Sequence, residues 1–186
     1  MLVKVFGSAV IGVDALTISI ECDKAPGSGY FIVGLPDNAV KESIERVLAS
    51  LKNNLYDRPR QKIVINMAPA DLKKEGAAYD LAIAIGMLAT TEQISAERLG
   101  DFVIMGELAL DGTLRPIKGA LPMAIQAREE KFKGLIVPAE NAREAGLVNN
   151  LDVYGCHNLK EVVDLLEGRG DQKPIKVDTR EEFFAA

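Results

Sequence analysis

Several features that often reveal a protein's chemistry are scarce in this sequence. Its 186 residues include two cysteines, one histidine and no tryptophan. Cys22 and Cys156 lie far apart and belong to no CxxC or Cys/His cluster, so the sequence predicts neither a disulfide framework nor a zinc site. We expect no metal ligands in this chain, and two lone thiols fit a protein of the reducing cytoplasm.

Long apolar segments are also missing. The longest apolar run, 81–89, is about half of the ~20 residues that a membrane-spanning helix needs. The N-terminal segment carries one lysine and is broken by Gly7, Ser8 and Gly12, unlike a signal peptide. We therefore expect a cytoplasmic protein without a membrane segment.

The overall charge gives little support to a protein that coats nucleic acid. The chain has 22 basic and 27 acidic residues, a net charge of −5, although a local basic patch remains compatible with this total. With 48% hydrophobic residues it is long enough to bury one substantial core. One domain followed by a tail is the expected organisation.

The apolar pattern predicts a mixed α/β chain. Alternation in 2–21 around Gly12 predicts a β-hairpin, and 30–33 a third strand. Asp37 precedes a helix whose apolar stripe ends at 53–54. The remaining predicted elements are strands at 61–67, 102–105, 108–110, 113–115, 135–138 and 151–155, and helices at 81–88, 119–131, 139–146 and 158–167.

Two consequences follow from that order of elements. The helix 81–88 is apolar on every face, so it should be buried between layers. The alternation of strand and helix after residue 134 predicts βαβα packing onto one sheet. From Gly168 the periodicity is lost, which indicates a linker, and REEFF near the end is interpreted as a helix fragment.

The stretch KKEGAAYD is the first candidate site. Gly76 before a helix, with Lys73 and Lys74, could present backbone N–H groups and two cations to an anion. The alternative is a glycine turn with solvated lysines. The sequence has neither GxxxxGK[ST] nor GxGxxG, so it contains no recognisable nucleotide site.

Acidic residues near helix starts are a second candidate. Glu75, Asp80 and Glu107 could supply a pair of carboxylates for acid–base work. The alternative is structural, because Asp80 lies in a first helical turn where a negative charge meets the helix dipole favourably. His157 stands alone before a helix and has no partner at the level of a motif.

Basic residues provide a third candidate. Arg58, Arg60 and Lys62, together with Lys73 and Lys74, could contact phosphates if they shared one face. Tyr56 is the aromatic residue nearest to them in sequence. A solvated loop is the alternative interpretation.

Four long motifs occur in order along the chain: GLPDNAVKESIERV, NMAPADLKKEGAAYDLAIAIG, MGELALDGTLRPIKGALP and LIVPAENAREA. Together they resemble the N-terminal domain of the ComM/YifB family, magnesium-chelatase-related AAA+ ATPases. The resemblance covers about residues 1–167. It implies that 168–186 form a linker towards an AAA+ module missing from this chain.

That domain is similar in fold to the proteolytic domain of Lon and to the C-terminal domain of the recombination protein RadA. The resemblance therefore implies an α/β (α+β) fold, a mixed sheet with packed helices. Aligning KEGAAYDLA with the Gly-Pro-Ser-Ala-Gly turn of Lon puts the catalytic serine's position on Ala78. Aligning LRPIKGALPMAIQA with the lysine segment of Lon puts the catalytic lysine's position on Met123.

Neither replacement can perform the original chemistry, because alanine cannot attack a carbonyl and methionine cannot accept the proton. The resemblance thus implies a protease-like scaffold without a Ser–Lys dyad. The six serines lie away from the turn in sequence: Ser8, Ser19, Ser28, Ser43, Ser50 and Ser95. The family motifs mark further structural or interface positions: Gly76, Tyr79, Asp80, Gly106, Glu107, Asp111, Gly112, Arg115, Gly119, Pro138, Glu140 and Asn141.

For the intact protein, the resemblance implies ATP and Mg²⁺ in the AAA+ module and none in this chain. It also implies a hexameric ring, in which this domain meets its own module and neighbouring protomers, and DNA branch migration in transformation and recombination. The magnesium-chelatase label rests on the ATPase module and is a weak guide to substrate.

Three functions remain open at this point. The chain is a non-catalytic accessory domain, a residual hydrolase using Glu75, Asp80 and His157, or a DNA-binding module using the five basic residues above. The first and the third are compatible.

Overall fold

Seven of the nine strands form one mixed sheet in the computed structural model, which describes residues 1–177. The strands are β1 (Val3–Ile11), β2 (Asp14–Ala25), β3 (Tyr30–Val33), β4 (Lys62–Ala68), β5 (Phe102–Ile104), β6 (Glu107–Leu108), β7 (Leu114–Arg115), β8 (Gly134–Pro138) and β9 (Asp152–Cys156). The helices are α1 (Asn38–Asn53), α2 (Asp80–Thr90), α3 (Ala120–Glu129), α4 (Ala142–Ala145) and α5 (Leu159–Leu166).

The order of strands across the sheet is β3-β4-β2-β1-β5-β8-β9. β2 runs antiparallel to both β1 and β4, and the other neighbours are parallel. β6 and β7 form a separate two-stranded hairpin. The predicted mixed α/β fold, including the βαβα half, is confirmed.

The first hairpin turns at two residues. Ile11 pairs with Asp14, and Gly12 between them has a φ of +64°. A two-residue turn with glycine at its first central position is the type II′ turn, whose twist matches that of the flanking strands. The predicted hairpin and its turn are therefore confirmed.

Helix α1 begins and ends where the sequence predicts. The Asp37 carboxylate accepts a hydrogen bond of 2.8 Å from the Val40 N–H, and the helix ends at Asn53 with Asn54 as its C-terminal cap. Val40, Val47 and Leu51 of its apolar stripe are buried. Helix α1 thus covers one face of α2.

Helix α2 is the centre of the molecule. All of its residues from Asp80 to Thr90 are buried, as its uniformly apolar sequence predicts. It packs between α1 and the strands β1 and β2. A Cβ atom added at Gly86 would lie 2.4 Å from the Cys22 sulfur, so this glycine lets the helix approach β2 closely.

The chain after α5 has no helix or strand up to residue 177. The Ile175 N–H donates a hydrogen bond of 2.8 Å to the Val153 carbonyl, and the Ile175 side chain packs against the core. The division at residue 167 stays a prediction, and the predicted helix fragment REEFF lies outside the described residues. Within 1–177, no helix has the length and apolar character that crossing a membrane requires.

Candidate functional site

A cavity of about 770 Å³ opens at the start of α2. Three chain segments converge there because α2 and α3 both begin near the end of β1. Its wall is mostly apolar and is formed by residues 8–11, 72–73, 75–79, 105, 107, 116–118 and 123. Its mainly apolar wall with a few polar groups makes it the candidate site.

The two positions aligned with the Lon dyad face this cavity. Ala78 lies just before α2, Met123 lies in α3, and both line the wall. The fold therefore brings together two positions that are 45 residues apart in sequence, the difference between 123 and 78. The side chains found there are a methyl group and a thioether, which cannot attack a carbonyl or take up its proton.

Ser8, one of the six serines that lie away from the turn in sequence, also lines the cavity. Ser8 is 2% exposed, and its Oγ has no hydrogen-bond partner in residues 1–177. Its backbone N–H donates to the Met105 sulfur at 3.2 Å. Because no amine or imidazole lies within hydrogen-bond distance of Oγ, this structure has no base to activate it.

Four charged residues at the cavity balance one another: Lys73, Lys118, Glu75 and Glu107. The Lys73 ammonium lies 3.9 Å from the Glu75 carboxylate, and both side chains are mainly exposed, so the pair is worth little in free energy. Lys118 is exposed as well. The charged groups therefore give the cavity no strong preference for an anion.

The position of Lys74 contradicts two predictions made from the sequence, the anion site at α2 and the DNA-binding set. Its side chain is wholly buried, and its ammonium group donates hydrogen bonds to the carbonyls of Gly34, at 2.7 Å, and of Pro69. Burial lowers the pKa of Lys74, and the nearby Asp71 carboxylate partly offsets this. Lys74 cannot contact a phosphate of DNA or an anion at α2, so its placement in either site is wrong.

Gly76 has a structural role in this loop. Its φ is +86°, which a glycine adopts at little cost, and its N–H donates to the Asp37 carboxylate at 3.1 Å. Asp37 thus caps α1 with one oxygen and holds the Gly76 loop with the other. Of the two interpretations of KKEGAAYD, the glycine turn with solvated lysines fits Gly76 and Lys73, and the anion site does not.

Asp80 lies at the centre of a buried ion pair. Arg46 Nε lies 2.7 Å from Oδ2 and Nη2 lies 3.0 Å from Oδ1, a bidentate arrangement. Ser43 Oγ donates to Oδ1 at 2.6 Å and the Leu108 N–H to Oδ2 at 3.0 Å. These bonds join α1, α2 and β6, and the hydrogen bond to Asp80 raises the pKa of Arg46.

This network decides the role of Asp80. Its carboxylate is fully buried and accepts four hydrogen bonds from outside α2, rather than from the N–H groups of that helix. Asp80 is therefore a structural residue, as the alternative interpretation held, but through contacts between elements. It has no free oxygen with which to act as an acid or base.

The three residues of the hydrolase hypothesis lie apart. Glu75 lines the cavity, Asp80 is sealed beneath it, and His157 is exposed after β9. His157 Nδ1 lies 3.2 Å from the carboxylate of Glu161, in the first turn of α5. None of the cavities found in residues 1–177 is lined by all three.

The predicted basic set is split between the two ends of β4. Arg58 and Arg60 come before the strand and Lys62 begins it, whereas Lys73 follows its end. A strand of seven residues separates them by roughly 20 Å. Arg58 and Lys62 lie over the rings of Tyr30 and Phe31, at 5.5 Å and 5.1 Å.

The aromatic neighbours of the basic residues thus come from β3, the edge strand. Tyr56, the aromatic residue named from sequence, is instead packed against the core. Phe31 is 48% exposed beside Lys62. Tyr30 and Phe31 are successive residues of β3, so Arg58 and Lys62 lie on opposite faces of the sheet at its edge. We call this edge of the sheet the β3 surface: Tyr30, Phe31, Arg58, Arg60 and Lys62.

Several family-motif positions hold the cavity wall. The Gly106 N–H donates to the Ala78 carbonyl at 2.9 Å, which ties β5 to the start of α2. Asn141 bonds both backbone groups of Ile117, at 2.8 Å and 2.9 Å. A Cβ atom at Gly119 would lie 2.4 Å from Val10, so α3 begins against the end of β1.

The remaining motif positions serve turns and surfaces. Asp111 bonds the Thr113 N–H at 2.9 Å in the β6–β7 turn, and this bond lowers its pKa. Gly112 has a φ of +92°, and an added Cβ would lie 2.4 Å from the side chain of Asn54. The others are two buried residues, Tyr79 and Pro138, and two exposed ones, Arg115 and Glu140.

The described residues contain no candidate metal centre, either at the cavity or elsewhere. No group of three histidine, cysteine, aspartate or glutamate side chains within 1–177 is arranged to hold an ion. Cys22 and Cys156 are buried free thiols on the sheet. Burial raises the pKa of each thiol to about 12, so both stay protonated at neutral pH.

Comparison with known proteins agrees with the motifs. The family model described as "Subunit ChlI of Mg-chelatase" matches residues 19–141. Competence protein ComM of Haemophilus influenzae is 39% identical over 179 residues, 96% of this chain and 35% of ComM. YifB of Escherichia coli is 43% identical over 162 residues, 87% of this chain and 32% of YifB.

More distant similarity extends to a protease. Lon protease 2 of Bacillus subtilis is 27% identical over 146 residues, 76% of this chain and 26% of that protein. The chain spans about a third of the length of ComM and YifB. The predicted resemblance is confirmed, and the chain belongs to the magnesium-chelatase ChlI-related family that includes the ComM and YifB proteins.

Proposed function

We propose that this chain is a non-catalytic accessory domain at the N-terminal end of a ComM/YifB-like AAA+ ATPase, acting in the cytoplasm. One observation carries the proposal: both positions of the Lon dyad line one cavity, where Ala78 and Met123 supply neither nucleophile nor base. The buried, fully bonded Asp80 supports the same conclusion, because the scaffold remains intact around the inert positions.

The family supplies the larger setting of the proposal. The relatives are about three times as long as this chain, so the intact protein has room for an AAA+ module. That module would bind ATP and Mg²⁺ and assemble as a hexameric ring, with this domain contacting it and the neighbouring protomers. The name of the competence protein ComM supports a role in transformation, which we propose to be DNA branch migration.

Measurements of ATP hydrolysis test the proposal that this chain is non-catalytic and that the AAA+ module is the ATPase. The 186-residue chain should hydrolyse no ATP above a buffer blank, whereas the intact protein should, with its activity lost when the ATP-binding lysine of the AAA+ module is replaced. ATP turnover by the chain alone would overturn the proposal.

DNA contact is the most specific part of the proposed accessory role. At the β3 surface, Arg58 and Lys62 each lie over an aromatic ring and Arg60 is exposed between them in sequence, a combination of cations and rings typical of sites for single-stranded DNA. Lys73 lies at the other end of β4 and is left out of this surface. The acidic total charge requires that such binding be local and weakened by salt.

A matched pair of triple variants tests this contact. Arg58→Gln, Arg60→Gln and Lys62→Gln together should reduce the slope of log K against log salt by about 2, since each phosphate contact on single strands contributes about 0.7. The control replaces Lys131, Lys133 and Lys160, which are exposed elsewhere, by glutamine and should leave the slope unchanged. Equal effects of the two triple variants would contradict a specific surface.

A further inference from the structure

Strand β1 has an unpaired edge where it borders the cavity. β2 pairs with β1 along Val3–Ile11, whereas β5 pairs with it only at Phe6. Residues 8–11 of β1 line the cavity. Along this stretch, one side of β1 therefore has no neighbouring strand.

The turn of the hairpin identifies the backbone groups on that side. A two-residue turn is closed by a hydrogen-bonded pair, here Ile11 and Asp14. Bonded and non-bonded pairs alternate along antiparallel strands, so Val10 and Ser8 direct their N–H and C=O groups away from β2. The bond from the Ser8 N–H to the Met105 sulfur has this direction. Val10 thus presents both an N–H donor and a C=O acceptor beside the cavity.

The cavity next to this edge suits an uncharged guest. Its wall is mainly apolar, and its two lysines and two glutamates cancel in charge. A nucleic acid would require a net positive surface, which the cavity lacks.

We propose that the cavity and the open edge of β1 bind an extended, uncharged polypeptide segment of another protein. The segment adds a strand beside Val10 and places an apolar side chain between Ala78 and Met123. Backbone hydrogen bonds give such a complex its affinity, and the cavity gives it a preference among side chains. No bond in the segment breaks, because Ala78 and Met123 supply neither the nucleophile nor the base of the dyad.

N-methylated peptides test the added strand without changing the protein. The probe is the peptide amide Thr-Val-Leu-Val-Thr-Val with fluorescein on its N-terminal amine, titrated with the 186-residue chain by fluorescence anisotropy. Alternate residues of an added strand face β1, so methylating the nitrogens of one alternate set should weaken binding about tenfold per lost bond. Methylating the other set should change it less than about twofold. Equal effects of the two sets, or no binding of the parent probe, would overturn the proposal.

Filling the cavity is the second test. Ala78→Leu should weaken the parent probe's binding by about tenfold or more, because one buried side chain would lose its space. Ala49→Leu lies on α1 outside the cavity wall and should bind as the parent chain does. Circular dichroism establishes that both variants are folded. Unchanged affinity in folded Ala78→Leu would overturn the proposal.

A second copy of the chain is the competing occupant. In that case sedimentation would detect a dimer without the probe, and Ala78→Leu would dissociate it. The proposal predicts that the edge of β1 is free in the isolated chain, so such a dimer would contradict it.

Discussion

Two sides of the start of α2 differ in how their polar atoms are satisfied. On one side, Asp80 accepts hydrogen bonds from Ser43, Arg46 and the Leu108 N–H. On the other, the cavity contains the Ser8 hydroxyl without a partner and two inert side chains at the Lon positions. The hydrogen bonds of Asp80 hold α1, α2 and β6 together, whereas the Ser8 hydroxyl bonds to none of residues 1–177. The fold therefore does not depend on the Ser–Lys dyad that is absent from the cavity.

The largest effect on the free energy of unfolding is expected from removing the buried Asp80 carboxylate. Asp80→Ala should lower the free energy of unfolding by about 3 kcal/mol, because Arg46 would be left partly buried without its partner. Urea unfolding followed by circular dichroism measures the loss.

The control for this variant is Glu42→Ala. Glu42 also lies near Arg46, at 3.8 Å, but its side chain is 68% exposed. Its removal should cost less than about 0.5 kcal/mol. Similar losses for the two variants would show that Asp80 is no more important than a surface charge.

Close packing beneath the same helix gives the next largest effect. Gly86→Ala should cost about 2 kcal/mol, because the new Cβ would meet the Cys22 sulfur and this outweighs alanine's better helix propensity. Combining it with Cys22→Ala should recover about 1 kcal/mol relative to the sum of the single losses. Strict additivity in urea unfolding would mean that the helix moves aside instead.

The two buried thiols make the free energy of unfolding depend on pH in the alkaline range. The pKa of Cys22 and of Cys156 is raised by burial from 9.0 to about 12, so above pH 9 the unfolded chain loses protons that the native state keeps. Their contribution to stability is complete below pH 9 and declines as the pH rises towards 12, by roughly 1 kcal/mol per thiol at pH 10. Cys156→Ala should therefore reduce the fall in unfolding free energy between pH 8 and pH 10 by that amount. An unchanged fall would contradict the burial of this thiol.

The smallest effects on the free energy of unfolding are expected from replacing Ser43 and Ser8, which lie on the two sides of the start of α2. Ser43→Ala removes a bond to Asp80 and should cost about 1 kcal/mol. Ser8→Ala removes a buried hydroxyl that has no partner, so the free energy of unfolding should be unchanged or higher by up to about 1 kcal/mol. Urea unfolding of both variants measures the difference, and a larger loss for Ser8→Ala would reverse the assignment of the two sides.

The elements themselves could be predicted from the sequence because their signals are local. Apolar spacing, the Asp37 cap and the Gly12 turn each act within a few residues, and the structure places α1, α2 and the hairpin accordingly. The resemblance to ComM and YifB added the expectation that Ala78 and Met123 meet. That meeting depends on the fold, and no local pattern contains it.

Contacts between distant residues explain what the sequence missed. Glu42, one helix turn away, is the acidic partner that sequence spacing offers Arg46, yet its main partner is Asp80, 34 residues along the chain. Lys73 and Lys74 look alike in sequence, but successive residues of an extended loop point in opposite directions, so one is solvated and the other buried. Ser8 reaches the cavity only because β1 passes beneath both helix starts.

Peptide hydrolysis by the chain itself tests the central claim most directly. The 186-residue chain is incubated with a pool of fluorogenic peptides and, separately, with a fluorophosphonate that labels activated serines. An inert protease-like scaffold predicts no cleavage above the buffer blank and no labelling. Cleavage that disappears in Ser8→Ala and persists in Ser28→Ala, an exposed serine outside the cavity, would contradict it.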